Sequence, residues 1–234
     1  MIYVYGITDE PCAPLPAEPG LNGARLSRVV VREVAAVVSP VAEGRLPVTR
    51  GNVVRHELVL EALMQNCTVL PARFGVVAAD EESVHSALAT CYSEFVADLA
   101  RLRGHQEVGV RVLWDGDPRM AGAEARPSTG AREADTGRAY LLRRMEEERR
   151  SQAGRAAAER LASELHNRLS RCAAEGSYEL LITPRLLLTA AYLVAREQIT
   201  AFRQEVEDLS AAHADLGLVC SGPWPPYSFV RAGV

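Results

Sequence analysis

The sequence predicts an α+β protein made of two domains, and three observations carry that prediction. Short β-branched and aromatic runs alternate with segments of helical hydrophobic period. A stretch from 116 to 136, rich in Gly, Pro, Ala and charge, has no hydrophobic period and reads as a flexible linker. Beyond it the element order reads α-β-β-α-β, close to a ferredoxin-like α+β sandwich once one edge strand is added from the tail. The expected organisation is therefore an N-terminal α+β domain over 1–115 and the linker over 116–136. A C-terminal ferredoxin-like domain over 137–221 and a tail over 222–234 follow.

In chain order, Ile2 to Ile7 is β-branched and aromatic and predicts a first strand. Residues 9–24 hold prolines and glycines and predict a loop. The valine-rich runs 26–31 and 34–38, around Arg32-Glu33, predict a hairpin. Asn52 is the expected cap of a helix reaching Asn66, with Glu57, Glu61 and Gln65 on its wet side and Val54, Leu58, Val59, Ala62 and Leu63 in the core. Val69 to Val77 predicts a strand that Pro71 makes an edge or a bulge. Asp80 caps the next helix, Glu81 and Glu82 suit its N-terminal dipole, and Val84, Leu88, Cys91, Phe95, Leu99 and Leu102 recur at helical spacing up to Gly104. Val108 to Trp114 alternates as a strand.

The second half opens with a long helix from about Gly137 to Glu175, with Gly154 the expected bend. Leu161, Leu165 and Leu169 form its apolar seam. Strands are expected over 178–183 and 186–194, a helix over 197–215 with Ile199, Phe202, Val206 and Leu209 on one face, and a last strand over 216–220. Three prolines in Gly222-Pro223-Trp224-Pro225-Pro226-Tyr227-Ser228-Phe229-Val230 then exclude helix and central strand. This pre-stiffened segment carries Trp224, Tyr227 and Phe229. Either it packs back as a strap on its own domain, or its rings anchor a partner.

Composition excludes several functions. A net charge of −4, with every basic residue an arginine, argues against a phosphate backbone as partner. The region Arg138–Arg171 holds nine arginines against five glutamates, but signs interleaved along a helix make a solvated face. Five cysteines without a C-x-x-C pair predict reduced thiols in a cytoplasmic protein. No signal peptide is expected, and the apolar run Leu186–Val194 is about half a membrane span, so no membrane partner is expected.

The motifs of catalysis fail one by one. His56-Glu57 starts like the zinc-protease H-E-x-x-H, but Leu60 stands where the second histidine belongs. The five histidines are scattered and read as surface or capping residues. Without lysine there is no phosphate-binding P-loop, and neither a dinucleotide fingerprint nor a nucleophile elbow occurs. Trp114-Asp115-Gly116-Asp117-Pro118 lacks the remaining ligands of a calcium loop. Arg73-Phe74-Gly75 echoes an RNA-binding strand but offers one ring where that motif stacks bases on two or three. No catalytic residue, metal ligand or cofactor is assigned. Arg73 is expected to pair with Glu57 or Glu61; its alternative is a partner contact.

Four stretches together carry a family resemblance. Ile2-Tyr3-Val4-Tyr5-Gly6-Ile7, Val69-Leu70-Pro71-Ala72-Arg73-Phe74-Gly75, Ala191-Tyr192-Leu193-Val194 and the tail Gly222 to Val230 resemble, in order, the gas vesicle proteins of the GvpL/GvpF type. The resemblance implies a modified ferredoxin-like C-terminal domain and a non-catalytic accessory or minor structural protein of gas vesicle assembly, in the cytoplasm or on the vesicle. It also implies partners: the small amphipathic major shell subunit, met during initiation or growth of the shell, and other gas vesicle accessory proteins. Arg73, Phe74, Trp224, Tyr227 and Phe229 are the candidate partner-binding residues. The competing readings are a scaffold for other accessory proteins and a regulatory protein binding a small ligand between helix and sheet.

Overall fold

The structure is a computed structural model that describes residues 1–9, 14–42, 46–114, 137–183 and 185–232. The chain divides into two compact units, Met1–Glu107 with Pro223–Val234, and Val108–Gly222. The linker expected over 116–136 lies outside the described residues.

In the first unit, β1 (Ile2–Asp9) is the centre of a sheet. It pairs antiparallel with β3 (Val34–Pro40), which pairs in turn with β2 (Ser27–Val31) through the expected hairpin. Arg32 takes φ 53 in that hairpin turn, and its guanidinium lies 5.1 Å from the Tyr92 ring centroid. The register of β1 on β3 slips between Val4 and Gly6, a bulge at Tyr5. At Gly6 the neighbouring β4 (Val69–Pro71) leaves no room for a side chain: a Cβ built there would sit 2.7 Å from the Leu70 carbonyl oxygen.

The strand expected over 69–77 is two short pieces on one flank of β1. β4 pairs with Gly6 to Thr8, and β5 (Val77–Ala78) pairs with Ile2 and Tyr3. Pro71 has no N–H for the ladder, and Gly75 at φ 99 turns the chain between the two. Helix α1 (Arg50–Met64) is capped by Thr49, whose hydroxyl accepts from the Asn52 N–H at 3.2 Å. The cap therefore lies three residues before Asn52, which is inside the helix. Its buried face is His56, Val59, Leu60, Leu63 and Met64, whereas Val54 and Leu58, expected in the core, are exposed.

The helix expected from Asp80 to Arg103 is also two pieces. Asp80 caps α2 (Glu81–Thr90) through the Ser83 N–H, at 2.8 Å. Cys91, at φ −100 and ψ 18, separates it from α3 (Tyr92–Leu102). The Thr90 hydroxyl bonds back to the Ser86 carbonyl at 2.8 Å, a contact that bends helices. Phase survives the break, so Val84, Leu88, Phe95, Leu99 and Leu102 are all buried.

The second unit contains a four-stranded sheet in the order β7-β8-β6-β9: β6 (His105–Trp114), β7 (Glu175–Leu180), β8 (Leu186–Ala195) and β9 (Leu216–Trp224). With α4 (Gly137–Ser170) and α5 (Ile199–Ala212), the chain order is β6-α4-β7-β8-α5-β9. The tail adds only Gly222–Trp224, at the end of β9; the fourth strand is β6, whose residues 108–114 were expected in the N-terminal domain. Those residues group with the second unit because they sit between β8 and β9. Helix α4 runs through Gly154 without a break. Its C-terminal half buries Ala158, Ala162, Leu165 and Leu169 against the core, while Tyr140, Leu141, Leu142 and Met145 near its start are exposed. From α5, Ile199, Phe202, Val206 and Leu209 enter the same core, as their spacing predicts.

Candidate functional site

His56 organises the candidate site. It is fully buried in the first unit, with the rings of Tyr3, Tyr5 and Phe74 within 6 Å of its own. α1 presents it, and β1 supplies the two tyrosines from alternate positions, which share one face of a strand. The hydrogen bonds around it fix its tautomer. Nε2 lies 3.1 Å from the Ala72 carbonyl, which can only accept, so Nε2 carries the proton. Nδ1 then accepts from the Tyr3 hydroxyl at 2.9 Å, and that hydroxyl accepts from the Gly75 N–H at 3.2 Å. Burial lowers the His56 pKa to about 4, so the ring is neutral at pH 7. Burial also pushes the Tyr3 hydroxyl up to about 12.

The expectation of a surface or capping role fails for His56, because the stripe of α1 that carries it turns into the core. What the H-E pair does instead is receive the tail. The Tyr227 hydroxyl stands 3.2 Å from His56 Nε2 and donates to Glu57 Oε1 at 2.9 Å. Burial raises the Glu57 pKa, against the opposing bond from Tyr227, and burial with the nearby Glu57 raises the Tyr227 hydroxyl further.

The rest of the tail is tied down by two more carboxylates. Glu107 accepts from the Ser228 N–H and from its hydroxyl, each at 2.8 Å. Asp98, on α3, accepts from the backbone N–H groups of Arg231 at 2.7 Å and Ala232 at 2.9 Å, and from Arg101 at 2.7 Å. Burial pushes the Asp98 carboxyl up, but these donors outweigh it and hold its pKa below the ordinary value. Arg101 also donates to the Phe229 carbonyl. Pro225, Pro226, Phe229 and Ala232 are buried.

The five candidate residues therefore separate. Tyr227 and Phe229 are structural anchors of the tail, and Phe74 is half-buried on Tyr3 and His56. Arg73 is exposed and pairs with neither Glu57 nor Glu61; the first of these is taken by Tyr227. Trp224 is 42% exposed. Arg73 and Trp224 are the two candidates whose side chains remain available. His56, Glu57, Asp98 and Glu107 were not among the expected site residues. For the last three the available signal was a carboxylate on a half-buried face, which does not announce its partner.

Among the described residues no group of His, Cys, Asp or Glu side chains could hold a metal ion, and no helix is long and apolar enough to cross a membrane. Cys91, Cys172 and Cys220 are free thiols, but Cys67 is disulfide-bonded, which corrects the expectation of five reduced thiols. Spacing could not show this, since a disulfide depends on spatial approach.

Comparison with known proteins agrees with the architecture. The crystal structure of the gas vesicle protein GvpF from Anabaena sp. PCC7120 superposes with a TM-score of 0.78 at 23% identity, over 100% of this chain and 97% of that one. GvpF from Microcystis aeruginosa gives 0.77 at 22% identity, over 99% of each. Gas vesicle protein L of a Streptomyces species is 36% identical over 182 residues, covering 74% of this chain and 66% of that protein. Gas vesicle protein F2 of Halobacterium salinarum is 28% identical over 98% of this chain and 91% of its own. Residues 1–231 match the family described as Gas vesicle synthesis protein GvpL/GvpF, and the chain belongs to that family.

Proposed function

We propose that this protein acts in gas vesicle formation by contacting the small amphipathic major shell subunit during initiation or growth of the shell, as an accessory protein that binds and does no chemistry. The observation that carries the proposal is the family match over residues 1–231. Its site chemistry points the same way: the perturbed groups His56, Glu57, Asp98 and Tyr227 are engaged in holding the tail, an arrangement that builds a surface. In the second unit, the order β6-α4-β7-β8-α5-β9 with sheet order β7-β8-β6-β9 supports a ferredoxin-like reading of that unit. The place of action is the cytoplasm and the vesicle surface, with other gas vesicle proteins as further partners.

Exposed Arg73 and Trp224 are the proposed contact residues. Co-expression with the major shell subunit and capture of this protein tests the reading directly. Arg73→Ala and Trp224→Ala each lower the captured subunit about tenfold while circular dichroism stays that of the parent, the size of a lost aromatic or arginine anchor. Capture undiminished in both folded variants moves the contact elsewhere. No capture by the parent chain removes the shell subunit as partner and favours a scaffold for accessory proteins.

A further inference from the structure

Strand β9 forms one margin of the second unit's sheet. It follows β6 in the strand order, and among the described residues no strand lies on its other side. An open edge presents unpaired N–H and C=O groups to any passing chain, and proteins guard such edges with charge, distortion or cover. The opposite margin, β7, is guarded by Glu175 and Glu179. β9 reads LGLVCSGPW and has no charged residue along its length. Val219 stands exposed in its middle. Beside it, between α5 and β9, runs a groove of about 600 Å³ lined by Arg203, Val206, Glu207, Leu218 and Cys220.

Charge sits at the two ends of this edge, and with opposite sign. Asp215 immediately precedes the strand and is exposed. At the far end Arg203, from α5, donates to the Gly222 carbonyl and stands beside Cys220, with Glu207 one turn further along α5 in the same groove. A strand that completes this edge best is therefore uncharged along its length, carries an acid where Arg203 lies, and meets Asp215 with a base. β9 itself, laid antiparallel, has all three properties. Each copy's Asp215 then falls at the end where the other's Arg203 is held, and Val219 lies near the twofold axis.

We propose that a second copy of this chain pairs edge to edge along β9, antiparallel across a twofold axis, and joins the two four-stranded sheets into one. The pairing runs through the backbone of 217–222, whereas Trp224 stands at the last position of β9, and the proposal does not depend on the shell-subunit reading.

Sedimentation velocity on the full chain across a dilution series tests it. The expected result is a mass that rises from one chain to two with concentration, and slowed hydrogen exchange at 217–222 in the concentrated sample alone. Val219→Lys places a cation mid-edge and raises the dimer dissociation constant by about tenfold or more, whereas Val219→Thr leaves it within about twofold. Asp215→Arg and Arg203→Glu each weaken the dimer, and the two together restore it. The charge pair keeps the test decisive if the lysine variant fails to fold. A chain that stays monomeric at the highest concentration, a Val219→Lys dimer as tight as the parent, or a double charge reversal that does not restore pairing overturns the proposal.

Discussion

The Tyr227 hydroxyl donates to Glu57 Oε1 at 2.9 Å, closing a contact across 170 positions of sequence. It connects the proline-rich tail to the first turns of α1, and through His56 to β1 and to the β4–β5 connection. Removing the hydroxyl leaves Glu57 raised in pKa by burial and without that donor. Tyr227→Phe should cost about 1–2 kcal/mol in urea denaturation. Glu57→Gln alone should cost a similar amount, and the double variant clearly less than the sum, because both changes delete one interaction. Full additivity would show that the two side chains do not bond in solution.

His56 sets a pH dependence of known sign. Its folded pKa of about 4 lies below the ordinary 6.5, so the unfolded chain binds the proton more readily between those values. The associated stability is complete above pH 6.5 and is lost as the pH falls towards 4, by roughly 3 kcal/mol. Glu57 and Glu107, both raised by burial, act in the opposite sense as they take up protons on acidification, and they offset part of the loss. Thermal melts from pH 7.5 to 4 check this prediction. His56→Gln, which cannot titrate, should lower stability at pH 7 and flatten the profile between 6.5 and 4. An unchanged slope in that variant would assign the dependence to other groups.

Most elements were legible because hydrophobic period reports burial directly. The α5 stripe Ile199, Phe202, Val206 and Leu209 and the Arg32-Glu33 hairpin are local patterns, and both stand in the structure as read. Three features were not local. The break at Cys91 keeps the apolar phase on both sides, so the pattern reads straight through it. The fourth strand of the second sheet comes from before the linker rather than from the tail, a pairing that distant segments settle between them. At the candidate site, the tail's rings were visible as rings, but their hosts were not. His56 looks like any helix histidine until β1 and the tail close over it.

Asp98 predicts a second, more acidic transition. Its carboxylate takes three donors from the last turn of α3 and the end of the tail, and its folded pKa is depressed. The stability it supplies is present above its unfolded pKa, near the ordinary 3.8, and disappears as the pH falls through the lower folded value. Asp98→Asn replaces one acceptor oxygen by a donor facing N–H groups. It should cost about 2–3 kcal/mol, the range for hydrogen bonds to charged groups. Limited proteolysis should then release residues after Pro226 sooner than in the parent. Unaltered cleavage would mean the tail is held without this carboxylate.

Gly6 tests whether the β1–β4 approach is as close as the structure places it. A methyl at that position meets the Leu70 carbonyl oxygen at 2.7 Å, with Leu60 Cδ2 at 3.2 Å behind it. Backbone cannot move aside as a side-chain tip can, so Gly6→Ala should cost about 1–3 kcal/mol. Gly51→Ala, whose added carbon meets nothing within 4 Å on the first turn of α1, should be neutral or slightly stabilising. Equal stability of the two variants would place β4 farther from β1.

The two aromatic residues at the ends of the tail should respond in opposite ways. Phe229 is buried at 6% exposure, and its truncation opens a cavity under the strap. Phe229→Ala should cost about 3–5 kcal/mol, the range for emptying a buried phenyl site. Trp224 is 42% exposed, so Trp224→Ala should shift the urea midpoint by less than 1 kcal/mol of stability. The contrast decides what a functional assay on either residue means. Loss of partner capture in Trp224→Ala with stability intact is a surface effect, whereas the same loss in Phe229→Ala follows from undocking the strap. If Trp224→Ala instead destabilises as much as Phe229→Ala, the indole is a packing residue, and Arg73 is left as the exposed candidate.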